Sequence, residues 1–305
     1  RERERERERE RRMSTTRPST IGEEGSDNRI CRPTLEVMLE LPALAPIRSA
    51  AFNPHTAQVC TSHVDSNVVS LWAMGGKGGV KGEVRRNNLP VPSTAAILVI
   101  YMDNIDSFVA VSSTRVFILG AALEPRYDFL AHERHVLTAA AFQKHSEIVV
   151  AGIDGKVKAF HIDVHRSYLE RSTRDPFTVT SRPLSLKGSD IEGWISLIHF
   201  DEDSNKMLLS SDVFVCMFDY DEKRVTIPAQ QLHNHAIWSM ETVRLEGRMA
   251  LLTAAGDSLI RIWSMDDKFV RVGELRGHTR PPCDILHDNT LNVLISLSED
   301  AWART

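Results

Sequence analysis

The sequence predicts an all-β fold, a β-propeller of four-stranded antiparallel blades, from three observations. A unit of about 43 to 45 residues repeats along the chain, which is the length of one such blade. The segments between turns are short and rich in β-branched and apolar residues, as in EIVVAGI and KMLLSS. No segment has the period of a long amphipathic helix, which disfavours parallel sheets with crossover helices. We expect about six blades, the last one truncated, from a parent protein with about seven or more.

The repeat is aligned by a turn aspartate and by an aromatic residue that ends the following strand. In three units the two are six residues apart: Asp154 and Phe160, Asp212 and Phe218, and Asp257 and Trp263. Two junctions carry extra residues, a Gly-rich basic stretch from Gly75 and a polar stretch between Asp163 and Pro183. We expect both stretches to be surface loops.

This pattern resembles the WD-repeat family over roughly residues 35 to 305. In that family a histidine before the first strand, a hydroxyl on the second, the turn aspartate and the strand-end tryptophan form a hydrogen-bonded set. An imidazole can bond a carboxylate and a hydroxyl at once, while an indole N–H finds an acceptor. The resemblance implies four structural sets: His233, Thr253, Asp257 and Trp263; His278, Ser296 and Asp300; Thr61, Asp65 and Trp72; and His132, Asp154 and Phe160.

The sets are uneven from unit to unit. The first has no matching histidine, and the third has Ala151 in place of the hydroxyl and Phe160 in place of tryptophan. The second unit, with SSTRVFIL from Ser112, lacks the turn aspartate, and the fourth is also degenerate. These two blades are expected to depend on apolar packing or on water.

The ends of the chain suggest a low-complexity segment followed by an incomplete propeller. Residues 1–34 begin with RERERERERERR, and the first methionine is Met13, so we expect disorder there and a propeller over residues 35–305. The register puts the last aromatic residue just beyond Thr305, which indicates a fragment of a longer product. The strand Leu35–Leu41 is a candidate to close the last blade.

Composition narrows the class of partner. The net charge of −4 gives no basic footprint for nucleic acid. The four cysteines are widely spaced and are interpreted as reduced thiols, and no apolar run is long enough for a membrane helix. We therefore expect a cytoplasmic protein, with the cilium or cytoskeleton as the finer alternative.

Three patterns that resemble chemical sites each lack a residue that the site needs. The run Asp201–Asp212 has Lys206 where a calcium-binding EF-hand loop needs glycine. The histidine pairs, such as His161 with His165, lack a third metal ligand. No GxSxG motif or assembled Ser, His and Asp group supports catalysis. The sequence therefore predicts no enzyme, metal, cofactor or small-molecule substrate.

What remains is a scaffold that binds other proteins through the loop faces of the propeller. The loops before each blade histidine and the turns with each aspartate should emerge on one face. The contact candidates on that face are Arg134, His135, His235 and Arg280. The last unit, from Gly277, also resembles blades of large ciliary and flagellar WD-repeat proteins, some of which carry EF-hands. A ribosome-assembly or RNA-associated propeller is the alternative function, and a propeller enzyme comes third.

Overall fold

The computed structural model describes residues 45–73, 82–164, 177–245, 247–288, 293–300 and 303–304. The chain divides into two units, Arg1–Thr34 and Leu35–Thr305, and every described residue belongs to the second. The predicted disordered segment and the candidate closing strand Leu35–Leu41 therefore lie outside the described residues.

The described residues form six antiparallel sheets, the blades, whose strands pair in chain order. Blade 1 contains β1 (Ile47–Asn53), β2 (Gln58–His63), β3 (Val68–Ala73) and β4 (Gly82–Asn88). Blade 2 contains β5 (Leu98–Met102), β6 (Ser107–Val111), β7 (Arg115–Leu119) and β8 (Pro125–Leu130). Blade 3 contains β9 (Val136–Phe142), β10 (Glu147–Gly152), β11 (Val157–Val164) and β12 (Phe177–Leu184).

The other three blades follow the same order. Blade 4 contains β13 (Leu197–Asp201), β14 (Lys206–Ser211), β15 (Phe214–Asp219) and β16 (Arg224–Gln231). Blade 5 contains β17 (Ile237–Leu245), β18 (Arg248–Ala255), β19 (Ile260–Met265) and β20 (Phe269–Leu275). Blade 6 has three described strands, β21 (Pro282–Asp288), β22 (Val293–Ser298) and β23 (Ala303–Arg304).

The core lies between the faces of successive blades. The first strands β1, β5, β9, β13, β17 and β21 contact one another in succession and are the inner strands. Buried apolar side chains fill each junction, and representative pairs are Leu71 with Phe117, Val109 with Ile148, Phe142 with Phe218, Met217 with Trp263, and Leu252 with Ile285. Apolar burial thus joins each sheet to the next.

The predicted fold class is confirmed: the protein is an all-β propeller with six blades. Asp65 and Asp212 have φ of 51° and 53°, a left-handed conformation that aspartate tolerates better than most residues. The predicted loop after Asp163 is partly strand, because the alternating residues Phe177–Leu184 pair with β11. The described ranges contain two short 3-10 helices, Asp103–Ile105 and Gln143–His145, neither of a length that crosses a membrane.

Candidate functional site

Blade 5 brings together three of its four predicted residues around one hydroxyl. Thr253 lies on β18 with no exposed surface, and its Oγ1 accepts a hydrogen bond of 2.8 Å from Nε1 of Trp263. Nε2 of His233, from the loop before β17, lies 2.7 Å from the same oxygen. A single hydroxyl therefore joins the loop, the second strand and the third strand.

The fourth residue of that set acts through an arginine that the sequence analysis did not single out. Asp257 Oδ2 is 3.9 Å from His233 Nδ1 but accepts a bond of 2.7 Å from Arg261 Nη2. Arg261 Nη1 donates to His233 Nδ1, so Nδ1 is an acceptor and Nε2 carries the hydrogen that is donated to Thr253. Burial, and then the charge of Arg261, lower the pKa of His233 to about 4, which agrees with a neutral ring.

Blade 6 also joins a histidine, a hydroxyl and an aspartate, but its histidine is the opposite tautomer. His278 Nδ1 lies 3.0 Å from Asp300 Oδ2, so Nδ1 carries the hydrogen, and Nε2 accepts from the Ser296 hydroxyl at 2.9 Å. The Thr279 amide also donates to Asp300 Oδ2, at 2.9 Å. The order Ser, His, Asp is that of a hydrolase triad, but the Ser296 residue is only 6% exposed. The geometry favours a structural role.

Blade 1 pairs two predicted residues and adds a histidine that the sequence analysis missed. Trp72 Nε1 donates to Thr61 Oγ1 at 2.9 Å, while Asp65 is exposed in its turn. His63 lies on β2, not before β1, and its Nε2 is 3.2 Å from Ser70 Oγ. The strand alternation could have signalled the pair His63 and Ser70. His63 is two residues from Thr61 and so shares its face of β2, and Ser70 lies directly opposite Thr61 in the β2–β3 register.

Blade 3 holds its histidine mainly by packing. His132 Nδ1 accepts from the Arg134 amide at 3.2 Å, and Nε2 lies 3.2 Å from Asp154 Oδ1 but outside hydrogen-bonding geometry. A Cβ on Gly152 would stand 2.6 Å from the ring, so a glycine is required there. Phe160 replaces the indole and packs against Phe129 at 5.0 Å between ring centroids.

Blades 2 and 4 have no complete set within the described residues. In blade 4 the Ser210 Oγ is buried and has no hydrogen-bond partner there, although Ser210 occupies the position of Thr253. In blade 2 the Ser112 hydroxyl donates only to the nearby Arg115 carbonyl oxygen, at 3.2 Å. Apolar packing on both sides of these blades supplies the contacts instead.

Backbone bonds tie the loops before the inner strands of blades 3 and 5 to turns that contain an aspartate. The Ile153 amide donates to the His135 carbonyl oxygen at 2.8 Å, and the Ile237 amide donates to that of Asp212 at 2.9 Å. The same end of the blades therefore carries both kinds of segment, which together are called the loop face here. The four contact candidates are all exposed in these loops: Arg134, His135, His235 and Arg280.

The inner strands add exposed side chains to the loop face through β-bulges. The register skips one residue near the start of four inner strands, and the skipped residues are Arg48, Leu137, Trp238 and Cys283. All four are exposed, and Trp238 is 39% exposed. A bulge turns a side chain away from its place in the alternation. Together with the four loop candidates, these bulge residues are well placed to contact a partner protein. The strand alternation alone could not have identified them.

Shallow grooves between described residues lie at the opposite end of the blades. One, of about 270 Å³, is lined by residues of the turns at Asn53 and Asp106; another, of about 150 Å³, lies beside Asp201 and Glu241. Within the described ranges no three His, Cys, Asp or Glu side chains converge as metal ligands. Burial raises the pKa of Cys60 and Cys216 to about 12, whereas Cys283 is exposed.

Comparisons with known proteins support the fold. No protein-family model matches the chain, and no curated protein matches its sequence. Among solved structures, the chain is similar to the WD40 β-propeller domain of Doa1, with a TM-score of 0.59 and 11% identity. The match covers 85% of this chain and 77% of that one. At this identity the likeness shows a WD40-type propeller fold and nothing finer.

Proposed function

We propose that this propeller is a non-catalytic scaffold that binds other proteins through its loop face. The observation that carries the proposal is the set of four bulges, which hold exposed side chains of inner strands at the start of their blades. Binding residues are commonly presented by loops and irregular positions on a rigid framework. A WD40-type fold supports such a role in general.

The buried sets supply the rigidity that this role needs. In blades 5 and 6 the loop histidines His233 and His278 are bonded to hydroxyls on the second strand, so the loops start from fixed points. The face residues follow those histidines within a few positions, as His235 and Arg280 do. Less ordering entropy is then lost when a partner binds.

The Ser296, His278 and Asp300 chain of blade 6 is not proposed as a hydrolase site, because Ser296 is buried. A nucleophile must reach its substrate, and exposing this serine would require opening of blade 6. The finer assignment, a cytoplasmic subunit of a ciliary or cytoskeletal assembly, rests on the resemblance of the last unit alone. The RNA-associated function is the alternative that the experiment separates from it.

The test is affinity purification of the tagged full-length chain from ciliated cells, with quantitative mass spectrometry. One variant changes the four loop-face candidates Arg134, His135, His235 and Arg280 to alanine. A matched control changes four exposed residues of turns at the opposite end: His55, Lys144, Asp221 and Lys223.

We expect partner proteins to be lost with the loop-face variant and retained with the control. Axonemal partners would support the finer assignment, and recovery of RNA with ribosome-assembly proteins would favour the alternative. Equal recovery of all proteins with both variants would contradict the loop face as the binding surface.

A further inference from the structure

Four blades in succession place an uncharged side chain at the inner edge of the loop face. Leu137, Trp238 and Cys283 are the bulge residues of blades 3, 5 and 6, and Trp194 stands shortly before β13 in blade 4. Trp194 is 54% exposed, more than any other phenylalanine, tyrosine or tryptophan in the described ranges. These four residues are called the apolar crescent. Blade 1, by contrast, has Arg48 at its bulge.

Two exposed tryptophans in neighbouring blades are costly to leave in water. Each buries a large apolar area when covered, and tryptophan is enriched among residues that dominate binding energy at interfaces. Backbone bonds hold the chain beside each tryptophan: the Ile237 amide next to Trp238 donates to the Asp212 carbonyl oxygen of blade 4, and the Ser196 amide, two residues after Trp194, donates to that of Ser210. A partner therefore meets a preformed apolar surface.

The charges around the apolar crescent are arranged unevenly. Arg134, which follows the exposed Glu133, precedes it in blade 3, and Arg280, with no acidic neighbour in sequence, precedes it in blade 6, so one arginine stands at each end. Neither arginine makes an ion pair with any other described residue. Glu192, beside Trp194, lies in the middle. Carboxylates are thus favoured at the two ends of a bound segment and disfavoured at its centre.

Building on the proposed function, we infer that the apolar crescent binds a short linear segment of a partner protein that carries apolar side chains between acidic ends. The apolar side chains cover Trp194 and Trp238, and the terminal carboxylates pair with Arg134 and Arg280. Guanidinium groups bind carboxylates through two parallel bonds, which fixes the direction and placement of the segment.

The test starts from a random peptide library displayed on phage and selected against the purified full-length chain. Enriched peptides are then synthesised, and their affinities are measured by fluorescence anisotropy. Two double variants are compared. The tryptophan pair, Trp194→Ser with Trp238→Ser, removes the apolar surface. The arginine pair, Arg134→Glu with Arg280→Glu, reverses the end charges. The matched controls are Val272→Ser and Arg271→Glu, both exposed on the outer strand β20.

Enriched peptides should share an apolar or aromatic core with Asp or Glu on both sides. The tryptophan pair should weaken binding about tenfold or more, and the arginine pair by a similar factor with a flatter salt dependence. The controls should bind as the unchanged protein does, and all variants should melt at the same temperature.

Peptides without flanking acids, no enrichment at all, or affinities unchanged by the tryptophan pair would each overturn the inference. The same tryptophan pair also separates this inference from the proposed function. If affinity purification loses its partners with the loop-face variant but keeps them with Trp194→Ser and Trp238→Ser, the scaffold function stands and the apolar crescent is wrong.

Discussion

Blades 4 and 5 are neighbours with a hydroxyl at the same position of the second strand, yet they use it differently. Thr253 in blade 5 is bonded to both Trp263 and His233. Ser210 in blade 4 is equally buried, and its Oγ has no partner in the described part of the chain. One repeat therefore holds its blade by a polar set and the next does without one.

A buried cluster of polar side chains lies at the opposite end of blade 4. Tyr220 donates to the buried Glu147 of blade 3, which also accepts bonds of 3.2 and 2.9 Å from Arg182. The Arg182 guanidinium stands 4.8 Å from the centre of the Tyr220 ring. Blades of one fold thus satisfy buried polar groups at different places, so a repeat can lose its hydrogen-bonded set without losing the fold.

The largest expected effect comes from removing the shared hydroxyl of blade 5. Thr253→Val keeps the shape but leaves the Trp263 indole and the His233 ring without an acceptor. Two buried donors without an acceptor should lower the free energy of unfolding by about 2–4 kcal/mol. Urea unfolding measures this, and a loss below about 1 kcal/mol would mean that the set is not what holds blade 5.

The turn aspartate should have a smaller effect. Asp257→Ala removes the carboxylate that pairs with Arg261 and leaves a mostly buried guanidinium beside His233. We expect a loss of about 1–3 kcal/mol in thermal or urea unfolding. The double variant Asp257→Ala with Arg261→Met tests the cause. It should recover part of the loss, and no recovery would count against the arginine link.

The pH dependence involves one histidine from each of the two blades, the half-buried His199 of blade 4 and the buried His233 of blade 5. Burial lowers the pKa of His199 and of His233 to about 4, so each favours the neutral ring in the folded state. Their contribution to stability is present above about pH 6.5 and is lost as the pH falls toward 4. Burial raises the pKa of Glu241 to about 7, and its contribution is lost as the pH rises toward 7.

The two histidines outweigh the single glutamate between about pH 4.5 and 6.5. Stability should therefore fall as the pH is lowered through this window, by about 1 kcal/mol per pH unit. Chemical unfolding at several pH values measures the slope. Glu241→Gln removes the opposing group and should steepen it, whereas an unchanged slope would contradict the assignment of Glu241.

The smallest effect is expected at the matching hydroxyl of blade 4. Ser210→Ala removes an oxygen that has no partner, so stability should stay within about 0.5 kcal/mol or rise slightly. The same urea unfolding measurement as for Thr253→Val makes the two values directly comparable. A loss above about 1 kcal/mol would show that Ser210 takes part in a bond after all, and the contrast between the blades would disappear.

The fold was predictable because the repeat depends on local patterns. The turn aspartates, the strand-end aromatic residues and the strand alternation each recur at a fixed spacing, and these decide the blades. Members of the sets such as Thr253 and Trp263 were within reach for the same reason. Nothing in the structure bears on the predicted segment 1–34, which stays a prediction.

The rest depends on contacts that spacing does not encode. Arg261 lies between His233 and Asp257 because its side chain is long enough to reach both and carries several donors. Its place opposite Thr253 in the β18–β19 register was the one signal of this in the sequence pattern. The bulge residues Leu137 and Trp238 break the alternation that identifies strands. A rule based on period assigns such a residue to the wrong face.

The two tryptophans of blade 5 differ in role: Trp263 belongs to the buried set, and Trp238 lies on the loop face. The most direct test measures melting temperature and partner recovery together for Trp263→Phe and Trp238→Ser. We expect Trp263→Phe to cost about 1–3 kcal/mol of stability while the folded protein still recovers its partners. The free energy of unfolding of Trp238→Ser should stay within about 0.5 kcal/mol of that of the unchanged protein, and this variant should lose its partners. The reverse pattern, or equal effects of both substitutions on partner recovery, would contradict the account.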